Sequence, residues 1–126
     1  MIGNNYLADL YDYKDRDAGI NQLLELLKYK DENFIKSLKE NPVNLEKCTK
    51  EEIEYLTIVS AVIDYYLQIH KIEVPDWIRD NRLAFKYPYY HSKRLTDFEK
   101  FKLLYSSTGP FARRNVYFDL KGLERI

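Results

Sequence analysis

The sequence predicts an all-α fold: a compact helical bundle around a long central helix, with an irregular aromatic C-terminal segment packed over it. Three observations carry that expectation. Apolar residues recur at helical spacing through residues 18–39 and again through 50–71, a capping box opens the second stretch, and no two segments show the two-residue alternation of a sheet. With 126 residues, of which 45% are hydrophobic and 32% charged, the chain fits one domain over residues 1–126 with a single core.

The start, Met1-Ile2-Gly3-Asn4-Asn5, lacks the basic residues and long apolar run of a signal peptide. The most apolar run, Ile58 to Ile63, contains Ser60 and stops at Asp64. A cytoplasmic protein without a membrane span is expected, and Cys48, the only cysteine, offers no internal disulfide. Asp9, Asp12, Asp15 and Asp17 resemble the opening of a calcium loop, but the register fails: counted from Asp12, the twelfth position is Leu23 where a glutamate is needed. They read as a solvated acidic lead into the helix that follows.

Ile20, Leu23, Leu24, Leu26 and Leu27, then Phe34, Ile35 and Leu38, predict two short helices or one kinked helix from about Ala18 to Lys39, ended by Asn41-Pro42. Thr49 with Glu52 forms the capping box of a long helix from about Lys50 to Lys71, whose run is stopped by Pro75. Apolar residues lie on nearly all sides of that helix, which places it at the centre of the bundle. Asp76-Trp77-Ile78-Arg79-Asp80 has room for a short helical turn, with Trp77 plugging the junction. A second capping box, Thr96 with Glu99, opens a helix carrying Phe98, Phe101, Leu104 and Tyr105, and Gly109-Pro110 closes it. Val116-Tyr117-Phe118 is too short to predict a sheet, and Asp119 is suited to cap a last turn, Leu120 to Ile126.

The net charge of zero hides an asymmetry. Residues 1–74 hold nine Lys/Arg against fourteen Asp/Glu, and residues 75–126 hold eleven against six. Such a split suits two parts packing on each other, or a basic face aimed at an acidic partner or at phosphates. No catalytic, cofactor or metal site is legible. His70, His91 and Cys48 lack the paired spacing of zinc ligands, and Ser106 to Pro110 lacks the lysine and helix start of a phosphate loop. No nucleophile, base and orienting group assemble, so the chain reads as a non-enzyme. Twelve tyrosines are an excess, and Arg113, Arg114, Lys93 and Arg94 with Tyr87, Tyr89 and Tyr90 form the constellation with most functional content. Many of the tyrosines are expected as core rings with a hydroxyl reaching solvent; beyond that, these residue types fit protein interfaces first, and the stacking and phosphate pairing of single-stranded nucleic acid second.

Six elements then follow in register: Pro75-Asp76-Trp77-Ile78, Asp80-Asn81-Arg82-Leu83, Tyr87-Pro88-Tyr89-Tyr90, Phe111-Ala112-Arg113-Arg114-Asn115, Val116-Tyr117-Phe118-Asp119 and Leu123-Glu124-Arg125. In this order, from about Asp64 onward, the chain resembles a group of small prokaryotic helical proteins encoded beside nucleotidyltransferase-like proteins in toxin–antitoxin-type loci. The acidic first half departs from that pattern. The resemblance implies a partner protein rather than a catalytic centre, and it carries over no active-site residues. The expected function is therefore a non-catalytic, antitoxin-like interaction module that binds a nucleotidyltransferase-type protein through Trp77, Tyr89, Tyr90, Arg113 and Arg114. The alternative is nucleic-acid binding through the same basic, aromatic half, although no helix-turn-helix is evident.

Overall fold

A computed structural model describes residues 2–13, 15–91 and 109–118. Three helices, α1 (Asn5–Tyr11), α2 (Arg16–Lys28) and α3 (Glu32–Glu40), precede the long helix α4 (Lys50–Ile69). Beyond it come a 3-10 turn at Asp76–Arg79, strand β1 (Tyr89–His91), a short helix α5 (Gly109–Arg113) and strand β2 (Val116–Phe118). The described chain is thus mostly helical, as its periodicity requires, and α4 lies at its centre: 13 of its 20 residues are buried, and it touches α2, α5, β2 and the 3-10 turn. Leu56, Ile58, Val59, Val62 and Ile63 are wholly inaccessible. Burying side chains of this size contributes roughly 1.5–3 kcal/mol each.

The capping box at the head of α4 is formed in full. Thr49 Oγ1 accepts from the Glu52 N–H at 3.1 Å, and Glu52 Oε1 accepts from the Thr49 N–H at 2.8 Å, which satisfies two backbone donors that the helix itself leaves open. The far end of α4 comes earlier than its sequence suggests, at Ile69 rather than Lys71, and Pro75 is not what stops it. Lys71 adopts a left-handed conformation (φ 55°), the Ile72 N–H reaches back to the Leu67 carbonyl at 2.8 Å, and the Lys71 N–H reaches Gln68 at 3.1 Å. This is a Schellman ending with lysine where glycine is usual. The same device settles the ambiguity over residues 18–39: Lys30 (φ 52°) ends α2, with the Asp31 N–H bonded to the Leu26 carbonyl, and Asp31 then caps α3. There are two helices, not one kinked helix.

Helix α1 has no counterpart in the sequence reading, which saw only an acidic lead-in. Its N-cap, Asn4, is fully buried: Oδ1 accepts from the Leu7 N–H, while Nδ2 donates to Ser37 and to the Asn41 carbonyl. One amide therefore starts α1 and ties it to α3. Of the aspartates around α1, Asp12 caps its C-terminus and Asp15 caps the start of α2. At Gly19 the backbone of α2 comes so close to its neighbours that an added Cβ would lie 2.7 Å from the Leu10 carbonyl oxygen and 2.9 Å from the Tyr55 hydroxyl.

A sheet is present after all. β1 and β2 pair in parallel, with Tyr89 opposite Val116, Tyr90 opposite Tyr117 and His91 opposite Phe118. A three-residue strand escapes period-2 reading because it offers barely one full alternation, and its partner lies 27 residues away in sequence. Gly109-Pro110 lies within α5, and the helix it was expected to close lies outside the described residues. Proline is tolerated in a first helical turn, where the missing N–H has no intrahelical acceptor. The helix expected from Thr96, the Lys93-Arg94 pair and the final turn Leu120 to Ile126 lie outside the described residues.

Two stability changes of opposite sign are expected. Gly19→Ala should destabilise the fold by about 1–2 kcal/mol in urea melts, because crowding against a rigid carbonyl outweighs the better helix propensity of alanine. Lys71→Gly should raise stability by about 0.5–1 kcal/mol by removing the strain of a left-handed lysine. An unchanged midpoint in either variant would count against the geometry described for that position.

Candidate functional site

Asp64 stands on α4 in the middle of the apolar interior, with no exposed surface. A carboxylate there is costly unless it is paired and its lone pairs are filled. Both oxygens are fully used. Oδ1 accepts from Gln68 Nε2 at 2.8 Å, one helical turn on, and from Arg79 Nη2 at 3.0 Å. Oδ2 accepts from Arg79 Nε at 3.2 Å and from Arg114 Nη2 at 2.9 Å. The 3-10 turn after Pro75 presents Arg79, and the turn that follows α5 presents Arg114, so a single carboxylate joins three parts of the chain.

Arg114 is as deeply buried as its partner, at 1% exposure. Besides Asp64 it donates to two backbone carbonyls, Ile78 through Nη2 and Pro110 through Nη1, each at 2.7 Å. Its Nε is buried without an acceptor among the described residues. Burial pulls the Arg114 pKa below the ordinary arginine value, and the bond to Asp64 works in the opposite direction. For Asp64, burial opposes ionisation, but hydrogen bonds from Arg79, Gln68 and Arg114 together outweigh it and hold the carboxyl below the usual aspartate value. Arg79, bonded to Asp64, is shifted upward.

Arg113, the neighbour of Arg114, has a half-exposed side chain (53%) whose Nη1 lies 3.9 Å from Asp64 Oδ2, too far for a hydrogen bond. Arg79, at 41% exposure, flanks the same carboxylate. Below them, Asp80 accepts both arms of Arg82 at 3.0 Å and is thereby neutralised. Asn115 continues this framework in a left-handed conformation (φ 59°). Its Nδ2 donates to the Phe85 carbonyl, its own carbonyl accepts from the Tyr89 N–H, and the Phe85 N–H donates to the Arg114 carbonyl. Phe85, Tyr89, Arg114 and Asn115 thus join β1 and the stretch after α5 into one hydrogen-bonded unit, and α5 and β2 contact α4.

The five residues singled out in the sequence fare differently. Arg114 corrects its expectation: its guanidinium is inside the protein and closes the interior, so it is no surface contact. Arg113 has a half-exposed side chain. Tyr89 and Tyr90 are half-buried and already engaged: Tyr89 stacks on Phe85 at 4.9 Å with the Arg16 guanidinium 5.9 Å from its ring centre, and Tyr90 stacks on Tyr117 at 5.4 Å. Trp77 is half-buried against the core, its indole N–H donating to the Leu38 carbonyl at 2.8 Å. Asp64 and Arg79 were missed. The available signal was a lone carboxylate inside an apolar helix, which must find a cation elsewhere in the chain.

Other candidates stay structural. Cys48 has its thiol pKa raised, by burial first and by Glu52 second, which works against nucleophilic use. His70 caps α4 and packs on the Tyr66 ring at 4.2 Å. Among the described residues no group of three or more His, Cys, Asp or Glu side chains could hold a metal ion, and no helix is long and apolar enough to cross a membrane. Neither a protein-family model, nor a curated protein, nor a solved structure matches this chain.

The pair makes stability depend on acid. Because the Asp64 carboxyl is held below its ordinary value in the fold, its contribution is complete above about pH 4, where an unfolded aspartate is ionised, and is lost as pH falls through the lower folded value. Asp64→Asn should cost about 3–5 kcal/mol at neutral pH by leaving Arg114 buried without a counter-charge. Urea melts across the acid range should show a shallower decline in stability for this variant than for the wild type; parallel pH profiles would remove Asp64 from the acid response.

Proposed function

We propose that this chain is a cytoplasmic, non-catalytic interaction module of antitoxin type that docks an acidic surface of a nucleotidyltransferase-like protein. The observation that carries this reading is the construction of the Arg113 side. Arg113 is half-exposed and donates no hydrogen bond to a described residue, yet it is held in place by its neighbour Arg114, which is anchored in the interior. An arginine pre-positioned in this way loses little freedom on binding, which favours its use at an interface. Trp77, Tyr89 and Tyr90 offer their half-buried rings to the same partner in this reading, and Tyr87, 74% exposed, extends the aromatic surface. Arg114 takes the role of scaffold. The nature of the partner comes from the resemblance of the six C-terminal elements, and the covering of α4 by the whole aromatic segment belongs to the same proposal.

The test is a nuclease-treated pull-down of the tagged chain from its host at moderate salt, with bound proteins identified by mass spectrometry, repeated with Arg113→Glu. A stoichiometric nucleotidyltransferase-like protein should be retained by the wild type. Affinity should fall tenfold or more, about 1.4 kcal/mol, in the variant, with the melting midpoint unchanged. Retention of nucleic acid alone, abolished by salt, would replace this reading with phosphate-backbone binding.

A further inference from the structure

We propose that the recess beside Asp64 is an oxyanion site that takes one phosphate group, free or as a phosphate monoester. A small hollow of about 50 Å³ opens between the turn after Pro75 and α5, and Arg79, Arg113 and Arg114 all line it, with Asn81 and Leu83. That volume is on the scale of several water molecules, enough to seat a single phosphoryl head whose substituent projects outward, and too small for a nucleoside.

The charge count favours an anion there. Three guanidinium groups converge on one carboxylate, so two positive charges stay uncompensated by described residues. Asp80, also on the rim, adds no free negative charge because Arg82 occupies it. Asp64 accepts from three side chains and has no lone pair directed at Arg113, which explains why Arg113 stops at 3.9 Å. Arg79 gives Nε and Nη2 to Asp64, and its Nη1 meets no described acceptor. Arg113 and Arg79 both act to lower the Arg114 pKa by repulsion.

Like charges held together at a mouth, with forked donors left unused, are relieved by a bound oxyanion. A phosphate dianion matches the uncompensated charge; a carboxylate answers half of it. The buried pair makes the site rigid, because Asp64 fixes Arg79 in a two-point grip and Arg114 fixes the chain at Arg113. The site belongs to the isolated chain, so it stands or falls separately from the proposed partner.

The experiment is calorimetric titration of the purified chain at low ionic strength with inorganic phosphate, phenyl phosphate, acetate and chloride at matched ionic strength. It is repeated with Arg113→Gln, Arg79→Gln and the remote control Lys36→Gln. Phosphate should bind the wild type and the Lys36 variant alike, and at least tenfold more weakly when Arg113 is replaced. The Arg113 variant should melt no lower than wild type, since it relieves repulsion, which separates loss of the site from loss of the fold. Binding of phenyl phosphate together with inorganic phosphate assigns a monoester, and inorganic phosphate alone assigns the free ion. Equal heats for acetate and phosphate, binding no stronger than chloride, or unchanged affinity in Arg113→Gln would overturn the proposal.

Discussion

The ion pair between Asp64 and Arg114 is the constraint to which the other C-terminal elements answer. A carboxylate buried in the middle of α4 must be matched, and the match comes from a residue 50 positions later in the chain. Once Arg114 is drawn inside, its carbonyl meets the Phe85 N–H, Asn115 turns left-handed, and the chain leaves in register with β1. The parallel ribbon, the half-buried stacks of Tyr89 and Tyr90 and the outward position of Arg113 all follow from that docking. A well-packed apolar pair could give equal or greater stability in the same volume, so the ionic pair is better understood as fixing position than as adding strength.

How much of this was legible in the sequence depends on the distance over which each signal acts. The start of α4 could be read at residue resolution because Thr49 and Glu52 lie within one turn and the chemistry of capping is local. The two-helix division at Tyr29–Asp31 and the early end of α4 were blurred because lysine, not glycine, occupies the left-handed position, and lysine gives no warning of it. Helix α1 was hidden behind its aspartates, although Asn4 followed by Leu7 and Leu10 was a usable cap and stripe. The ribbon was invisible for the opposite reason, since two three-residue strands are recognisable only through each other.

The site divides along the same line. Arg113 and Arg114 are adjacent and chemically identical, and composition cannot tell which one is drawn inside. The answer is set by the phase of α5 relative to α4, a tertiary quantity. The six C-terminal elements contain Asp80, Leu83, Arg114 and Asn115, and each of these has a demonstrable packing or hydrogen-bonding task. A motif of this kind can persist for the sake of the fold, and the exposed Arg113 is the part of it for which the described interior supplies no hydrogen-bonding task.

The 50-residue gap between Asp64 and Arg114 also sets an order in time. At a synthesis rate of roughly 5–20 residues per second, Asp64 leaves the ribosome several seconds before its buried partner does. During that interval α4 can find α2 and, a little later, Arg79, but the face that will receive α5 stays wet and carries an open carboxylate. The early chain carries a net charge of −5 over residues 1–74 at that stage, and like charge of this size opposes self-association of a half-finished bundle with an uncovered central helix.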